Sequence, residues 1–349
     1  MKLGIVGISG SGKTTIFNAL TGSVAEVSAY QKGKRESNLA VVKVPDSRLD
    51  RLSSIYNPQK TIHAQVQYVD IGETVSPAEG RESSIDEILK LLHPVDALVH
   101  VVRNFDRSGE PPRPQRDLEA MESELILTDL IILEKKVERL EKEITKAKKG
   151  NPEELELLEK AKGILEGGDA LRRYSEIAQS PMIKGYAFLS AKPCIVVLNT
   201  EDDVGLGITD LQTPNDTVFV ELKGRLEMEL AQLSPEEAEL FREDMGLEES
   251  ATFRLIKESH QLLGLISFFT VGKDEVRAWP IRKDTPAQQA AGAIHSDLEK
   301  GFIRAEVVSY DDLMAHGSHS AAQKAGRVRL EGKNYLVQDG DILNIRFNV

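Results

Sequence analysis

The sequence predicts an α/β protein that carries an inserted pair of helices and ends in a second, smaller α/β module. Short apolar runs, typical of buried strands, alternate with amphipathic segments over the first hundred residues and again from residue 192. Between these regions, residues 117–179 have apolar residues at helical spacing among many charged ones. From residue 267, strand and helix patterns are separated by turn residues. Alternating strands and helices favour a parallel sheet with helices on its faces.

The first element combines a strand, a glycine-rich loop and a helix. Residues 2–6 (KLGIV) form a short apolar run, and residues 7–14 (GISGSGKT) fit the pattern G-x-x-x-x-G-K-[ST]. The following TTIFNAL places Ile16, Phe17 and Leu20 on one side of a helix. Because this order of strand, loop and helix is the context in which the pattern binds phosphate, the sequence predicts a phosphate-binding loop here.

The residue types of this loop suit phosphate chemistry. Glycines let successive backbone N–H groups turn toward an anion, and the helix N-terminus adds partial positive charge. Lys13 can reach the β- and γ-phosphates of a nucleotide, and Thr14 can ligate Mg²⁺. The alternative is a strand–helix turn that binds nothing, which the complete motif in this context disfavours.

The next predicted strands lead to an acidic residue. They cover residues 38–44 and 65–69, and the second ends at Asp70. A carboxylate there can hold Mg²⁺ through water, although an aspartate after a strand is often only a turn former or a helix cap. The polar residues 23–37 are predicted to be a loop, and the Pro-rich residues 106–116 a linker.

A candidate base-reading pair follows a later strand. The apolar run at residues 194–198 ends in Asn199, and Asp202 follows three residues later. An N-x-x-D pair at a strand end can recognise a purine, because the carboxylate accepts hydrogen bonds from guanine N1–H and the 2-amino group while the asparagine ties the loop to the base. The strand at residues 217–222 leads to Gly224, where a backbone amide is expected to meet the base.

An apolar stripe predicts a long helix in the inserted segment. Steps of four and three separate Ile126, Leu130, Leu133, Val137, Leu140, Ile144 and Ala147. A turn at residues 149–152 (KGNP) ends the stripe, and a second helical pattern follows. The two predict an antiparallel helical hairpin, or coiled coil. Its charged faces are either solvated or a docking surface for a partner.

Residues 268–349 predict a β-grasp module of strands, a helix and a hairpin turn at residues 339–341. A local basic cluster lies near its last strands. Its members are Lys324, Arg327, Arg329 and Lys333. These side chains form either a solvated face or a contact for RNA.

Composition narrows the function classes. The 349 residues carry a net charge of −12, so bulk attraction to nucleic acid is not expected and no DNA sequence recognition is predicted. No apolar run reaches the roughly 18 residues typical of a membrane helix, and no signal peptide precedes the first strand, so no membrane partner is expected. A single cysteine, Cys194, excludes an internal disulfide. These features predict a cytoplasmic protein.

Taken together, these motifs resemble the YchF/Obg-like ATPase family of translation-factor P-loop proteins. The resemblance covers essentially the full length. It rests on GIVGISGSGKTTIFNALT, PDSRLDRL, HVVRNF, FLSAKPCIVVLNTED and the run from FFTVGKDEVRAWPI to GKNYLVQDGDILNIRFNV. The last run marks the TGS domain of this family, a β-grasp domain associated with RNA or ribosome contact. The hairpin falls where the family carries its coiled-coil arm.

The resemblance implies a P-loop G domain at residues 1–116 and 180–266, a helical coiled-coil insertion at 117–179 and a TGS-like β-grasp domain at 267–349. It implies a slow, Mg²⁺-dependent hydrolase of GTP or ATP that associates with ribosome or RNA through the TGS domain and hairpin, and modulates translation or a stress response. Lys13 and Asp70 are the expected catalytic residues, and Thr14 and Asp70 the metal ligands. The residues expected to bind the purine nucleotide are Ser9, Gly10, Ser11, Gly12, Lys13, Thr14, Thr15, Asn199, Asp202 and Gly224.

The sequence departs from the family pattern at several positions. Asp202 stands where the family usually has glutamate, and Thr200 stands where ordinary GTPases have lysine, so the choice between GTP and ATP is open. Glu73 replaces the glycine of the family's D-x-A-G, and the family's loop histidine has no counterpart. Two hypotheses follow: a slow nucleoside triphosphatase, or a nucleotide-bound adaptor that docks on ribosome or RNA with little or no hydrolysis. A retained fold that has lost the nucleotide is disfavoured by the complete loop motif.

Overall fold

The computed structural model describes residues 1–22, 26–31, 36–70, 91–147, 150–201, 211–212, 217–246 and 249–348. The chain divides into two compact units. The first comprises Met1–Val41 and Gln67–Leu255, and the second comprises Val42–Val66 and Ile256–Val349. Within the described ranges, no helix is long and apolar enough to cross a lipid bilayer.

The strands and helices are numbered in chain order. The strands are β1 (Lys2–Val6), β2 (Glu26–Gln31), β3 (Glu36–Lys43), β4 (Lys60–Ile62), β5 (Gln65–Asp70), β6 (Ala97–Asn104), β7 (Cys194–Thr200), β8 (Val218–Leu222), β9 (Leu265–Val271), β10 (Glu275–Arg282), β11 (Phe302–Ser309), β12 (Arg329–Glu331) and β13 (Asp341–Phe347). The α-helices are α1 (Lys13–Thr21), α2 (Ser47–Tyr56), α3 (Pro114–Lys142), α4 (Pro152–Glu166), α5 (Ser175–Ala178), α6 (Pro181–Lys184), α7 (Gly224–Leu230), α8 (Pro235–Asp244), α9 (Ala251–Leu262), α10 (Ala287–Ile294), α11 (Ser296–Lys300), α12 (Tyr310–His316) and α13 (His319–Lys324). A π-helical turn covers Glu143–Ala147 and a 3₁₀ turn covers Leu171–Arg173.

The sheet of the first unit has the order β2-β3-β5-β1-β6-β7-β8. Strand β1 pairs parallel with β5 and with β6, and the parallel pairing continues through β7 to β8. All eight residues of β6 are buried. Five of them are apolar, as expected for a central strand covered on both faces, and the other three are His100, Arg103 and Asn104. Because the strands from β5 to β8 are parallel, their carboxyl ends share one edge, the edge at which open α/β sheets bind ligands.

The sequence-based prediction of a loop over residues 23–37 is wrong in part. Glu26–Gln31 forms strand β2, which pairs antiparallel with β3 from Glu26↔Val41 to Gln31↔Glu36. Strand β2 lies at the end of the sheet order. An edge strand is held mainly through its backbone on one side, so a short polar segment can form it without a strong apolar signal.

The inserted helices α3 and α4 pack against one another. Helix α3 begins at Pro114, whose missing N–H costs nothing in the first turn. Leu133 of α3 and Leu158 of α4 are fully buried in one apolar cluster, and this cluster also takes in Leu171 and Phe188 from the segment after α4. The core of the insertion therefore includes the short turns that lead back to the sheet, as well as the two helices.

A buried carboxylate fixes α3 to the segment that precedes β7. Asp129 is fully buried and accepts hydrogen bonds from the backbone N–H groups of Leu189 (2.8 Å) and Ser190 (2.6 Å). Burial raises the pKa of Asp129 to about 6, although these hydrogen bonds oppose the shift.

The sheet of the second unit has the order β12-β11-β13-β9-β10-β4. Strands β9 and β10 are antiparallel, as are β11 and β13, while β13 and β9 are parallel neighbours. The edge strand β4 pairs parallel with β10 and comes from residues 42–66. The sequence analysis assigns these residues to the G domain, whereas the structure groups them with the C-terminal segment. The sequence of the three-residue strand β4 does not indicate that it pairs with β10, which lies more than two hundred residues later in the chain.

An ionic cluster joins α2 to the C-terminal part of this unit. The Arg48 guanidinium donates to both oxygens of Asp46 (3.0 and 2.9 Å) and to Asp339 Oδ2 (2.7 Å). Asp339 Oδ1 also accepts the Ser267 N–H at 2.9 Å, and the guanidinium lies 5.2 Å from the centre of the Phe269 ring. Burial disfavours the charge, but the hydrogen bonds to the two carboxylates raise the pKa of Arg48 overall.

Candidate nucleotide-binding site

The loop predicted from residues 7–14 joins the end of β1 to the start of α1. Gly12 is the N-cap of α1 with φ +93°, and a Cβ added there would lie 2.2 Å from Asn199 Nδ2. Position 12 therefore requires a residue without a side chain. The N-cap residue of α1 makes no side-chain hydrogen bond to the helix, as is typical of a helix N-terminus that faces an anion.

Lys13 lies over this loop and is 5% exposed. Its ammonium donates to the carbonyl oxygens of Gly7 and Ile8, each at 3.0 Å. Phosphate oxygens are stronger acceptors than neutral carbonyls, so the lysine is already next to the position that the motif assigns to it.

The two predicted magnesium ligands lie in contact. Thr14 Oγ1 donates to Asp70 Oδ2 at 3.1 Å, and Asp70 is 2% exposed. Strand β5 places Asp70 beside β1 through the pairing Ile5↔Asp70. Within the described ranges, no group of three or more His, Cys, Asp or Glu is placed to hold a metal. A hydroxyl and one carboxylate, completed by phosphates and water, is the donor set that suits Mg²⁺ in nucleotide sites.

The loop also contains a buried hydroxyl without a partner. Ser11 is fully buried, and its Oγ makes no hydrogen bond in the described part of the chain. An unpaired buried hydroxyl costs about 1–3 kcal/mol, so the loop retains a polar group that a ligand can satisfy. Ser9 is exposed and Thr15 is half-buried at the start of α1.

Asn199 ties the loop to the other end of the site. Its Nδ2 donates to Ser11 O at 3.0 Å, and its Oδ1 accepts the Gly224 N–H at 3.1 Å. The Gly224 amide that the sequence analysis expects at the base is thus engaged by Asn199. A Cβ at Gly224 would lie 2.6 Å from Asn199 Oδ1 and 2.9 Å from Ile16 Cδ1, so glycine allows α7 to approach α1.

Comparisons with known proteins identify the family of the chain. Residues 265–348 match the YchF-GTPase_C family model, described as a protein of unknown function, and residues 2–136 match a family described as 50S ribosome-binding GTPase. The ribosome-binding ATPase YchF of Bacillus subtilis (strain 168) is 39% identical over 366 residues, with 100% of both chains covered. The chain belongs to the YchF family. The ribosome-binding ATPase YchF of Escherichia coli O157:H7 is 36% identical over 361 residues, which cover 100% of this chain and 99% of that protein.

A solved YchF structure has the same fold. The YchF GTPase of Schizosaccharomyces pombe superposes with a TM-score of 0.85 and 30% identity, over 99% of this chain and 97% of that one. The match supports a G domain followed by the C-terminal domain of YchF proteins, as the sequence predicts.

Several residues that distinguish this YchF chain lie outside the described ranges. Asp202 and Glu73 are both among them, so their predicted roles remain predictions. Thr200, which replaces the lysine of ordinary GTPases, is described: it is 8% exposed, and its Oγ1 has no hydrogen-bond partner in the described residues.

His100 lies on β6 directly beside β1, in register with Val6. Burial, together with the positive charges of Arg172 and Lys13, lowers the pKa of His100 to about 3. The imidazole is therefore neutral at physiological pH and too weak a base to take a proton from water.

The sequence analysis missed Arg107. It lies in the segment predicted to be a linker, yet its guanidinium packs against Gly10 of the loop. A signal was present in the sequence: Ser108-Gly109 is a turn dipeptide that follows a buried strand by a few residues.

The basic cluster of the YchF C-terminal domain is partly neutralised. Arg327 Nε lies 3.7 Å from Asp312, and Arg329 Nη2 lies 3.9 Å from Asp341. The ammonium groups of the cluster's two lysines are exposed and make no ion pair with any described residue.

Proposed function

We propose that this chain binds a purine nucleoside triphosphate with Mg²⁺ at residues 7–14, hydrolyses it slowly and associates with ribosomes. The contact between Thr14 and Asp70, beside a lysine already folded over the same loop, carries the proposal. The relatives named ribosome-binding ATPase YchF and YchF GTPase support it.

Each residue has a defined role in the proposed reaction. Lys13 and the N–H groups of the loop stabilise negative charge on the β- and γ-phosphates, and Thr14 and Asp70 hold the metal. Thr14 and Asp70 would hold Mg²⁺, which would supply positive charge beside the phosphates. Asn199 holds the loop in shape through its two hydrogen bonds. No basic side chain is assigned to the attacking water, so catalysis rests on positioning and electrostatics, which predicts slow turnover.

The choice of base rests on the segment after β7. Asp202 favours guanine, whereas Thr200 in place of lysine removes a feature of ordinary GTPases. Titration of the nucleotide-stripped protein with fluorescent GTP and ATP analogues, with and without Mg²⁺, tests both points. GTP binding at least about tenfold tighter indicates a guanine-reading aspartate. Equal or tighter ATP binding indicates a relaxed purine pocket. Binding of neither overturns the proposal.

Turnover separates the enzyme from a second candidate, a nucleotide-bound adaptor with little hydrolysis. The glutamate at position 73, where the family pattern has glycine, favours this second candidate. Phosphate release is measured for the wild type, for Lys13→Ala and for Lys135→Ala, an exposed lysine on α3 that serves as the matched control. Release that is lost only in Lys13→Ala supports the enzyme. Nucleotide binding without release above the Lys13→Ala background supports the adaptor.

Ribosome association is tested by co-sedimentation of the full chain with purified ribosomes, with and without nucleotide. The combined change Lys324→Glu and Lys333→Glu reverses the two unpaired charges of the basic cluster. Its control is Lys283→Glu with Lys300→Glu, two exposed lysines of the same unit. Reduced sedimentation of the first variant alone assigns the contact to the cluster, and equal sedimentation of both variants excludes the cluster.

A further inference from the structure

A second cationic side chain lies on the phosphate loop, and the sequence motif does not include it. A Cβ added to Gly10 would lie 1.8 Å from Arg107 Nη1 and 2.5 Å from Arg107 Cζ. The guanidinium therefore rests directly on the backbone of the loop, at a position where any side chain would collide with it. Gly10 also has φ +76°, which disfavours other residues there.

A tight turn holds Arg107 in this position. Its N–H donates to Glu110 O at 3.1 Å, and the Glu110 N–H returns the bond to Arg107 O at 3.0 Å. The two residues between them, Ser108 and Gly109, have φ +53° and +85°, as a two-residue hairpin turn requires. Asp106 Oδ1 accepts the Gly109 N–H at 2.9 Å.

The base of this turn is anchored to the core. Arg103, 8% exposed at the end of β6, donates to the carbonyl oxygens of Phe105 (3.2 Å) and Glu110 (3.0 Å) and to that of Pro111 (3.3 Å). The buried guanidinium of Arg103 thus fixes the turn that carries Arg107. A side chain carried on a braced turn loses less conformational freedom when it binds a ligand.

The charge of Arg107 is not neutralised by the protein. Its guanidinium is exposed, and it makes no hydrogen bond or ion pair with any residue in the described part of the chain. The nearest carboxylates along the chain belong to Asp106, which accepts from Gly109, and to the exposed Glu110. Arg107 therefore adds a second cationic side chain to a loop that already carries Lys13 and the N-terminus of α1, and this arrangement suits a polyanion.

We propose that Arg107 is a phosphate-binding residue of this site, whose guanidinium donates hydrogen bonds to phosphate oxygens of the bound nucleotide. The inference rests on the proposed function. A planar guanidinium can bind two phosphate oxygens at once, which the ammonium of Lys13 cannot do. The contact is made to phosphate rather than to the base, so it acts on GTP, on ATP and on inorganic polyphosphate alike.

The test is a titration of the nucleotide-stripped full chain by calorimetry with two probes, the tighter-binding Mg-nucleotide and inorganic triphosphate. The proteins are wild type, Arg107→Ala, Arg107→Lys and Arg116→Ala, the last an exposed arginine on α3 with no hydrogen bond or ion pair in the described residues. We expect Arg107→Ala to weaken both probes by the same factor of about 10 to 100. Arg107→Lys should recover part of the loss, and Arg116→Ala should stay within about twofold, as expected for a surface site.

The salt dependence of binding distinguishes a charge contact made by Arg107 from a role in packing alone. The loss in Arg107→Ala should shrink as KCl rises, because the contact is between exposed charges. Arg107→Ala that binds both probes as the wild type does overturns the inference, as does a loss seen with the nucleotide but not with inorganic triphosphate. Wild type that binds inorganic triphosphate but no nucleotide overturns the proposed function while still testing Arg107. Wild type that binds neither overturns both.

Discussion

The polar cluster around Arg48 and the polar cluster around the phosphate loop differ in whether the chain supplies partners for their side chains. Around Arg48, in the second unit, the cation contacts two carboxylates, and one of these also accepts a backbone N–H. Around the phosphate loop, in the first unit, Ser11 has no partner and Arg107 has no counter-ion among the described residues. In the Arg48 cluster the charged groups have partners within the chain, whereas the phosphate loop keeps polar groups that a ligand can satisfy.

The largest effect is expected where the cluster is complete. Arg48→Ala should lower the free energy of unfolding of the second unit by about 2–4 kcal/mol, since it leaves two partly buried carboxylates without their cation. Trp279 is the single tryptophan of the sequence and belongs to this unit, so its fluorescence during urea unfolding reports the effect. Arg51→Ala, an exposed change on the same helix, is the control. Equal midpoints for the two variants would show that the cluster adds nothing to stability.

Asp129, a buried carboxylate of the first unit, tests how far backbone N–H groups stabilise a buried negative charge. Hydrogen bonding to Arg48 holds the pKa of Asp339 below its usual value despite partial burial. Asp129 has two N–H donors, and burial raises its pKa from 3.8 to about 6. As pH rises, Asp129 therefore keeps its proton to a higher pH in the folded state than in the unfolded state. Stability should therefore fall by up to about 3 kcal/mol as pH rises between these two values.

The Asp129 effect is isolated by comparing variants. Urea unfolding followed by circular dichroism at several pH values is measured for wild type and Asp129→Asn, and the difference between the two stability curves removes the other carboxylates. A difference that does not change between pH 4 and pH 7 would mean that the N–H groups fully compensate the burial of this carboxylate.

Asn199 lies in the candidate nucleotide site, but both ends of its side-chain amide are hydrogen-bonded within the chain, so it shares features of both clusters. Asn199→Ala removes two hydrogen bonds and leaves Ser11 O and the Gly224 N–H without this partner. We expect a loss of about 2 kcal/mol in unfolding free energy and weaker nucleotide binding together. Asn199→Asp keeps an acceptor for Gly224 and should retain part of the stability. If binding weakens while thermal stability is unchanged, Asn199 contacts the ligand rather than holding the loop.

The smallest effect is expected at Ser11, and its sign is reversed. Removing the unpaired hydroxyl in Ser11→Ala should raise the free energy of unfolding by roughly 1 kcal/mol without nucleotide, because no buried polar group is then left unsatisfied. Thermal unfolding of the nucleotide-stripped protein measures this. Saturating nucleotide should reduce or cancel the gain if the ligand satisfies the hydroxyl in the wild type. Destabilisation of the stripped Ser11→Ala protein would show that the hydroxyl already has a partner.

The parts of the site that were predictable from the sequence are local. Eight consecutive residues define the loop, and Asp70 and Asn199 follow apolar runs, so the shared edge of a parallel sheet brings them to the loop. The turn at Ser108-Gly109 could be recognised in the sequence, but the contact of Arg107 with Gly10 could not, since it depends on the pairing of β6 with β1. The grouping of residues 42–66 with the C-terminal segment could not be predicted for the same reason: no periodicity links β4 to β10.

The discontinuous second unit also constrains how the protein is made. Arg48 and Asp339 are separated by 291 positions in the sequence. At roughly 5–20 residues per second, a ribosome completes that interval in about 15 to 60 s. During this time α2 has left the ribosome while the sheet that buries its Leu49 and Leu52 has not yet been synthesised. For most of its synthesis the nascent chain thus exposes the apolar residues of segment 47–56, and the last steps of folding must wait for the final strands.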